Sequence, residues 1–371
     1  MEGMVMFKEV YDGKRVLVTG ATGFKGSWLC SWLLDLGAEV YGYSLDLVSP
    51  VNLFGEADLQ ERMTHEFGDV RDFPKLEQFV SDVQPDFIFH LAAQAIVSVS
   101  YENPLSTIST NVIGTANILE AVRKLHKHVT TVIITSDKCY ENVEQLWGYK
   151  EGDPVGGKDI YSASKGAAEI IFSSYFRSFY EGNDFHRVAS VRAGNVIGGG
   201  DWARDRIVVD AVKMWNDGGD VQIRSPLATR PWQHVLEPLS GYLWLGALLS
   251  SNTENHFNGE SYNFGPNGDQ VKTVSELTEC LSKYWKNGPA AFECGNAKQS
   301  FYEAALLKLN IEKANVQLNW EPTLGFDECC KFVSEWYSDF YAQRSSALAL
   351  VRNDINNYCQ LAKTRGKKWT T

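Results

Sequence analysis

The chain has 371 residues, of which 44% are hydrophobic and 22% are charged, a composition typical of a globular enzyme with a large core. Its 35 basic and 46 acidic residues give a net charge of −11. Such an acidic surface repels a phosphate backbone, so we expect no nucleic-acid partner. A small anionic ligand would need a local cluster of positive side chains.

The sequence also argues against export, membrane insertion and metal binding. Residues 1–10 lack the basic start and apolar stretch of a signal peptide. No apolar run reaches the roughly 18 residues of a membrane span, and the stretch 239–249 predicts a buried helix instead. The 7 cysteines contain no C-x-x-C pair, which argues against a disulfide framework and a zinc site. We therefore expect a cytoplasmic protein without a membrane partner or a metal.

Strand and helix patterns alternate through the first 200 residues. The predicted strands lie at 15–20, 39–46, 85–93, 129–135 and 186–192. The predicted helices lie at 27–37, 73–83, 110–122 and 161–172. This alternation predicts an α/β fold with a Rossmann-like, doubly wound parallel sheet, whose ligands bind outside the carboxyl ends of the strands.

The composition changes after about residue 195, where glycines cluster and Trp and Arg become frequent. Helical patterns follow at 204–217, 274–287 and 324–343. We predict a sheet domain over 1–194, to which later strands return from about 232–265, and a smaller C-terminal ligand-binding lobe over most of 195–371. The last ten residues are rich in basic side chains, and we expect them to be frayed.

The stretch T-G-A-T-G-F-K-G (19–26) predicts a dinucleotide site. Gly20, Gly23 and Gly26, with Phe24 between them, follow a strand and open a helix, where glycine lets a pyrophosphate approach backbone N–H groups. An acidic residue about 20 positions later would bind the adenosine ribose. Asp46 has that spacing and favours NAD over NADP, with Ser44 as the alternative.

Two groups of polar residues are candidates for contact with the reacting centre. Tyr161 and Lys165 form Y-x-x-x-K, which places both on one helix face. A lysine ammonium and an oxidised nicotinamide would both favour the phenolate, and this would lower the tyrosine pKa towards that of a usable base. The buried strand 129–135 ends abruptly on Ser136, Asp137 and Lys138, which indicates either one edge of an active site or a solvated turn.

These motifs resemble the extended short-chain dehydrogenase/reductase family over almost the whole chain. The resemblance rests on the glycine loop, L-A-A (91–93), T-S-D-K (135–138), Y-S-A-S-K (161–165), R-A-G-N-V-I-G (192–198), R-P-W-Q-H-V (230–235) and L-N-W-E-P-T-L-G-F (318–326). It implies NAD as cofactor and a nucleoside-diphosphate sugar as substrate. It further implies that Asn195 and Arg230 bind the diphosphate. We expect Trp202, Arg204 and Arg206 in a loop over the substrate, with an exposed, solvated loop as the alternative. The implied cofactor contacts include Asp69, Val70, Leu91, Ala92 and Ala93, although a surface turn is the alternative for the first two.

Within the family, the Ser-Asp-Lys set resembles the 4,6-dehydratases that act on CDP-glucose. Epimerases lack the acid–base pair, and other dehydratases carry Asp-Glu or a related acidic pair. The stretches G-F-K-G-S-W (23–28), N-L-F (52–54) and G-G-G-D-W-A-R-D-R (198–206) support this branch. Tyr302 and Asn310 depart from it, because His and Asp are expected there.

The resemblance implies a lyase of deoxysugar (lipopolysaccharide O-antigen) biosynthesis that forms a 4-keto-6-deoxy sugar and regenerates NAD. Tyr161 would take the C4 hydroxyl proton, Ser136 would hold O4, and Asp137 would protonate the leaving C6 hydroxyl. Asp137 must be protonated for this, which burial would favour. Lys138 is either the base at C5 or a charged partner of the enolate.

Several alternatives stay open at this point. A dTDP- or GDP-sugar 4,6-dehydratase, a nucleotide-sugar 4-epimerase and a non-catalytic NAD-binding regulatory protein share most of these motifs. We expect His90 to be a hydrogen-bonded core residue. The family's paired helices imply a homodimer or homotetramer.

Overall fold

A computed structural model describes residues 6–47, 49–183, 185–251, 255–268, 271–295 and 306–371. The strands are β1 Arg15–Thr19, β2 Glu39–Ser44, β3 Thr64–Phe67, β4 Phe87–His90, β5 Val129–Ile134, β6 His186–Ala193, β7 Val196–Ile197, β8 Val221–Ile223, β9 Thr229–Arg230, β10 Gln233–His234, β11 Ser261–Phe264, β12 Lys272–Thr273 and β13 Phe292–Cys294.

The α-helices are α1 Phe24–Asp35, α2 Leu53–Glu56, α3 Leu59–Arg62, α4 Phe73–Val83, α5 Val97–Glu102, α6 Pro104–Ile108, α7 Gly114–Arg123, α8 Ile160–Tyr175, α9 Ile207–Asn216, α10 Leu236–Ser250, α11 Val274–Tyr284, α12 Phe326–Tyr341 and α13 Ala347–Thr364. A π-helical turn, Ser109–Ile113, joins α6 to α7, and another, Phe176–Tyr180, extends α8. A 3-10 turn, Asp137–Cys139, follows β5.

Seven parallel strands form the main sheet in the order β11-β6-β5-β4-β1-β2-β3. The strand order reverses between β1 and β4, which opens a crevice at the carboxyl ends of the strands. All six residues of β5 are buried, as expected for a strand covered on both faces. The predicted Rossmann-like fold is therefore confirmed.

Two hydrophobic cores cover the two faces of the sheet. One contains residues of α4, α7 and α8. The larger core contains residues of α1, α10, α12 and α13. The predicted buried helix around 239–249 is the central part of α10, which is apolar on every side and buried along nearly its whole length.

The C-terminal end of the chain corrects one expectation. The last ten residues were expected to be frayed, but Lys368–Thr370 form a 3-10 turn, and Trp369 is fully buried. The Trp369 ring stacks on Phe7 at 5.1 Å and on Tyr358 at 5.7 Å between ring centroids. The basic composition of the tail predicted fraying. Burial of the Trp369 ring nevertheless fixes the tail, because the apolar area that it buries stabilises the tail more than the flanking lysines destabilise it.

Helix α13 was not predicted from the sequence, although its buried apolar residues have helical spacing. These residues are Leu350, Val351, Ile355, Tyr358 and Cys359. This helix connects α12 to the anchored tail, and its Tyr358 contributes to the aromatic contacts of Trp369. The C-terminal segment is thus part of the core beneath α1.

We predict that Trp369→Ala lowers the free energy of unfolding by about 3–5 kcal/mol, because it leaves a large cavity between three aromatic rings. Trp147 is the matched control, since 69% of its surface is exposed. Trp147→Ala should change stability by less than about 0.5 kcal/mol. Urea denaturation measures the free energy of unfolding of both variants. If Trp369→Ala loses as little stability as Trp147→Ala, the tail does not anchor the fold.

Candidate active site

A cavity of about 960 Å³ lies at the carboxyl ends of the sheet strands and extends under α9 and β8. Its volume is at the upper end of the roughly 300–1,000 Å³ typical of ligand pockets. Every residue predicted to bind cofactor or substrate, or to react, lies on its wall. The structure therefore brings the predicted residues together, while their individual roles stay predictions.

The glycine loop forms the turn between β1 and α1. Gly20 has a φ of +75°, and a Cβ atom there would lie 2.8 Å from the backbone nitrogen of Ala92 on the next strand end. A Cβ on Gly26 would lie 2.1 Å from the Gly20 carbonyl oxygen. Glycine is thus required on steric grounds at both positions. Gly23 caps α1, so the helix begins at the cavity wall, where N–H groups favour an anion.

Both candidates for the ribose contact line the cavity beyond β2. The Ser44 hydroxyl is buried and accepts a hydrogen bond from the Thr22 amide at 3.2 Å. Asp46 is exposed, and its carboxylate accepts the Leu47 amide at 2.7 Å. Ser44 thus helps to hold the glycine loop, while the Asp46 carboxylate is exposed at the cavity wall.

The other predicted cofactor contacts follow β3 and β4. The carboxylate of Asp69 forms an ion pair with Arg71 at 2.5 Å, and Val70 is buried beside it. The Ala92 amide donates to the Thr19 hydroxyl at 3.2 Å, which joins the end of β4 to β1. These contacts fix the two sides of the crevice.

The segment after β5 turns its three polar residues to the cavity wall. Ser136 accepts the Lys138 amide at 3.2 Å and donates to the Asp137 carboxylate at 2.9 Å. Asp137 is only 3% exposed, and its second carboxylate oxygen has no hydrogen-bond partner within the described ranges. A buried carboxyl group with a free oxygen at a cavity wall is suited to exchange a proton with a ligand.

Gly194, at the end of β6, was not predicted as a site residue. A Cβ atom there would lie 1.8 Å from the carboxylate of Asp137. Only glycine therefore leaves room for Asp137 in this position. A glycine next to the predicted Asn195 was the available signal.

Tyr161 and Lys165 lie on the first turns of α8, which Asp159 caps by accepting the Ser162 amide. Burial raises the pKa of Tyr161 to about 12, while a hydrogen bond with Ser136 and the charge of Arg206 act in the opposite direction. Burial lowers the pKa of Lys165 to about 8. Desolvation of the phenol thus opposes the positive charges that were expected to lower the Tyr161 pKa.

The residues predicted to bind the substrate also line this cavity. Asn195, which has a left-handed backbone with φ of +49°, and the buried Arg230 both line it. Arg204 forms an exposed ion pair with Glu102 at 2.8 Å, which joins the segment before α9 to α5. Together with Lys25 and Arg206, these arginines make the cavity basic in an acidic protein.

Lys25 belongs to this basic group, and burial lowers its pKa to about 8 while the charge of Asp137 opposes the shift. Trp202, expected in a loop over the substrate, lines the cavity but also packs against Trp336 and Phe340. Its loop is therefore anchored on α12.

The remaining candidates fall outside the chemistry. His90 is buried and bonded to the Thr19 hydroxyl at 2.7 Å, so its prediction as a core residue is confirmed. Burial lowers its pKa to about 3, and the imidazole is therefore neutral. Asn310 lies on a separate small pocket, where it caps its own turn by accepting the Glu312 amide. Tyr302 lies outside the described residues.

No helix within the described ranges is long and apolar enough to span a membrane. This finding concerns helices alone.

Comparisons with known proteins identify the family of the chain. The family model described as GDP-mannose 4,6 dehydratase matches residues 17–333. CDP-glucose 4,6-dehydratase of Salmonella typhimurium is 43% identical over 355 residues, which cover 95% of this chain and 98% of that protein.

Solved structures show that the fold is shared by enzymes with different reactions. dTDP-glucose 4,6-dehydratase of Streptomyces venezuelae, solved with NAD, matches with a TM-score of 0.74 and 23% identity over 89% of this chain and 98% of that chain. UDP-glucuronic acid 4-epimerase of Bacillus cereus, solved with UDP-glucuronic acid and NAD, matches with a TM-score of 0.73 and 21% identity over 89% and 100%. At these identities the likeness establishes the fold, whereas the long match to the family model and to the Salmonella relative establishes that the chain belongs to the GDP-mannose 4,6-dehydratase family.

Proposed function

We propose that this protein is an NAD-dependent hydro-lyase that converts CDP-glucose to CDP-4-keto-6-deoxyglucose and water. One observation carries this proposal: a single cavity is lined by the predicted dinucleotide loop and by all five candidate catalytic residues. These residues are Ser136, Asp137, Lys138, Tyr161 and Lys165. The 43% identity with the Salmonella CDP-glucose 4,6-dehydratase supports the choice of substrate.

The residues of the cavity fit NAD. The crevice glycines leave space for a pyrophosphate at the start of α1, and the exposed carboxylate of Asp46 is suited to bind ribose hydroxyls. When bound, NAD supplies a hydride acceptor that can later return the hydride. Asp46 also disfavours the additional phosphate of NADP because both are negative.

The first chemical task is oxidation at C4 of the glucose. Tyr161 takes the proton of the C4 hydroxyl, and Ser136, already hydrogen-bonded with Tyr161, holds O4. Because burial raises the pKa of the phenol, the tyrosine needs positive charge nearby to act as a base near neutral pH. Lys165, four residues later on α8, contributes that charge when it is protonated.

The second task is loss of water across C5 and C6. A ketone at C4 acidifies the C5 proton, since the carbanion becomes an enolate. Lys138 either removes this proton or stabilises the enolate charge. Asp137 donates a proton to the departing C6 hydroxyl, and the Gly194 position leaves room for its carboxyl group.

Binding of the diphosphate explains the basic wall. Asn195, Arg204 and Arg230 all line the cavity. Guanidinium groups bind phosphate oxygens in pairs, so this wall is suited to a nucleoside diphosphate.

A turnover assay with CDP-glucose, dTDP-glucose, UDP-glucose and GDP-mannose tests the function. The proposal expects a 4-keto-6-deoxy product with CDP-glucose at the highest kcat/KM. A preferred dTDP or GDP substrate would change the assigned base. Exchange of C4 configuration without loss of water would indicate an epimerase, and absence of any turnover with NAD bound would favour a regulatory protein.

We also propose that the protein forms at least a dimer in a reducing cytoplasm. Apolar side chains are exposed along neighbouring helices, including Leu105 at 80%, Ile113 at 50% and Ile170 at 54%. Clustered exposed apolar residues are typical of an interface.

All seven cysteines are free thiols, which supports a reducing compartment.

Asp46→Ala should relax the preference for NAD over NADP, mainly by weakening NAD binding, because the variant loses a ribose acceptor and a repulsive charge. Titration calorimetry with both cofactors measures the effect. Asp82→Ala, an exposed charge removal on α4, is the control and should leave both affinities unchanged. Tighter binding of NADP than NAD by the unmodified protein would contradict this assignment.

Tyr161→Phe should lower kcat by about 10²–10⁴-fold, because the ring is kept but the proton acceptor is lost. The matched control is Tyr175→Phe, at the other end of the same helix, which should leave kcat unchanged. Activity of Tyr161→Phe within a few-fold of the unmodified protein would exclude Tyr161 as the base.

Asp137→Asn should still permit C4 oxidation but slow the loss of water, so reduced cofactor accumulates on the enzyme. Absorbance of the reduced nicotinamide follows this directly. Lys138→Met should abolish exchange of the C5 proton with solvent deuterium if Lys138 is the base, and should only slow exchange if it is an electrostatic partner. If both variants turn over normally, the segment 136–138 has no catalytic role.

A further inference from the structure

A buried ion pair lies beneath the candidate catalytic residues. Glu169 of α8 and Arg192 of β6 approach to 2.8 Å, and their side chains are only 3% and 4% exposed. The carboxylate of Glu169 also accepts hydrogen bonds from Thr135 and from Ser190. Neither charged group contacts solvent, and nothing in the mechanism above uses them.

This pair holds both ends of the segment that carries Ser136, Asp137 and Lys138. Thr135, immediately before that segment, donates its hydroxyl to Glu169. Tyr140, two residues after it, accepts a hydrogen bond from the Arg192 guanidinium at 2.7 Å. The 3-10 turn is therefore fixed to α8 and β6 at both of its ends.

Outer contacts hold the pair itself in place. Arg192 donates to the Glu151 carbonyl at 3.1 Å. The phenol of Tyr140 donates to the side chain of Asn263, on the neighbouring strand β11, at 2.8 Å. Burying two charges is costly, and well-packed apolar residues of similar volume are often as stable or more stable. A gain in stability thus explains poorly why the protein contains this buried ion pair. Precise placement of a reactive segment explains it better.

Glu169 is also the third member of a stripe on α8. Tyr161, Lys165 and Glu169 follow each other at a spacing of four residues, which puts them on one helix face. Cys139 of the 3-10 turn and, after it, Glu169 raise the pKa of Lys165 and so oppose the effect of burial. Burial raises the pKa of the Cys139 thiol, which leaves Glu169 as the charged neighbour of the two near neutral pH. Among the described residues, Lys25 of α1 and His90 of β4 also interact electrostatically with Lys165.

We propose that Glu169 and Arg192 are positioning residues of the dehydration reaction, which fix the Ser136–Lys138 segment and, through the carboxylate of Glu169, keep Lys165 charged beside Tyr161. This inference rests on the proposed function for its reaction. It assigns the pair two separable effects: a geometric one through Thr135 and Tyr140, and an electrostatic one through Lys165.

Glu169→Gln tests the electrostatic effect. The variant keeps the size of the side chain but removes its charge, so the pKa of Lys165 falls and the ammonium is lost at a lower pH. The alkaline limb of the kcat profile should therefore move to lower pH, and kcat at neutral pH should fall about tenfold or more. KM for CDP-glucose should change by less than about threefold, because Glu169 does not line the cavity and is not among the predicted diphosphate contacts.

Glu237→Gln is the matched control. Glu237 of α10 is another fully buried carboxylate, which accepts the Thr323 and Leu324 amides and does not line the cavity. Its substitution should lower the melting temperature without moving the kcat profile. If Glu169→Gln also lowers only the melting temperature, with an unchanged profile and kcat, the pair is merely structural and the proposal is overturned.

Thr135→Val and Tyr140→Phe test the geometric effect and replace Glu169→Gln if that variant does not fold. Each removes one hydrogen bond to the pair and retains the charge of Glu169. Both should lower kcat while the alkaline limb stays in place, and normal kcat in both would refute the geometric effect.

A substrate-free measurement separates this inference from the proposed function. Titration of Lys165 by NMR, with the lysine side-chain nitrogen labelled, should give a lower midpoint in Glu169→Gln than in the unmodified protein. An equal midpoint refutes the electrostatic effect even if CDP-glucose is the substrate. Failure of the unmodified protein to turn over CDP-glucose, with the midpoint shifted as expected, refutes the substrate assignment instead.

Discussion

Parallel pairing of β5 with β4 on one side and β6 on the other is the interaction on which the candidate site depends. Ile133 lies opposite His90, and Ile134 lies opposite Val191. The backbone of Thr135 continues this ladder by donating to the Val191 carbonyl at 2.9 Å. As a result, the three strands end side by side, and the side chains that follow them meet at one edge. A slip of one residue in β5 would turn these side chains to the opposite face of the sheet.

A basic cavity can exist in an acidic protein because a bound ligand responds mainly to the charges close to it. The net charge of −11 is spread over a large, solvated surface, where salt screens it. By contrast, Lys25, Arg204, Arg206 and Arg230 all line one cavity. A diphosphate in the cavity therefore meets concentrated positive charge, while a nucleic-acid strand meets an acidic exterior. This division suits an enzyme that handles small anionic metabolites.

Buried polar groups divide into those that hold backbone and those that face the ligand. Glu237 holds the chain after α10 by accepting two amides and the phenol of Tyr358, and burial raises its pKa to about 7. Glu169 makes similar use of its oxygens, but its partners lead directly to the reactive segment. Asp137 keeps one oxygen without a partner in the described structure. Structural and reactive carboxylates in this fold thus differ in their hydrogen-bond partners. The oxygens of a structural carboxylate are bonded to the protein, whereas Asp137 keeps one oxygen for a ligand.

The sequence by itself determined the fold class and the membership of the site. Glycine spacing, the Y-x-x-x-K pair and the polar strand end are local features, and their positions at strand ends follow from the alternation of strands and helices. Gly20 and Tyr161 could therefore be predicted to line one cavity without any coordinates. The tertiary structure decided the rest, because the remaining contacts join residues far apart in the chain. The ion pair of Glu169 with Arg192, the space that Gly194 leaves for Asp137 and the seat of Trp369 against Phe7 have no local sequence pattern. The pKa of Tyr161 belongs to the same class, since desolvation depends on everything that surrounds a group and not on its neighbours in sequence.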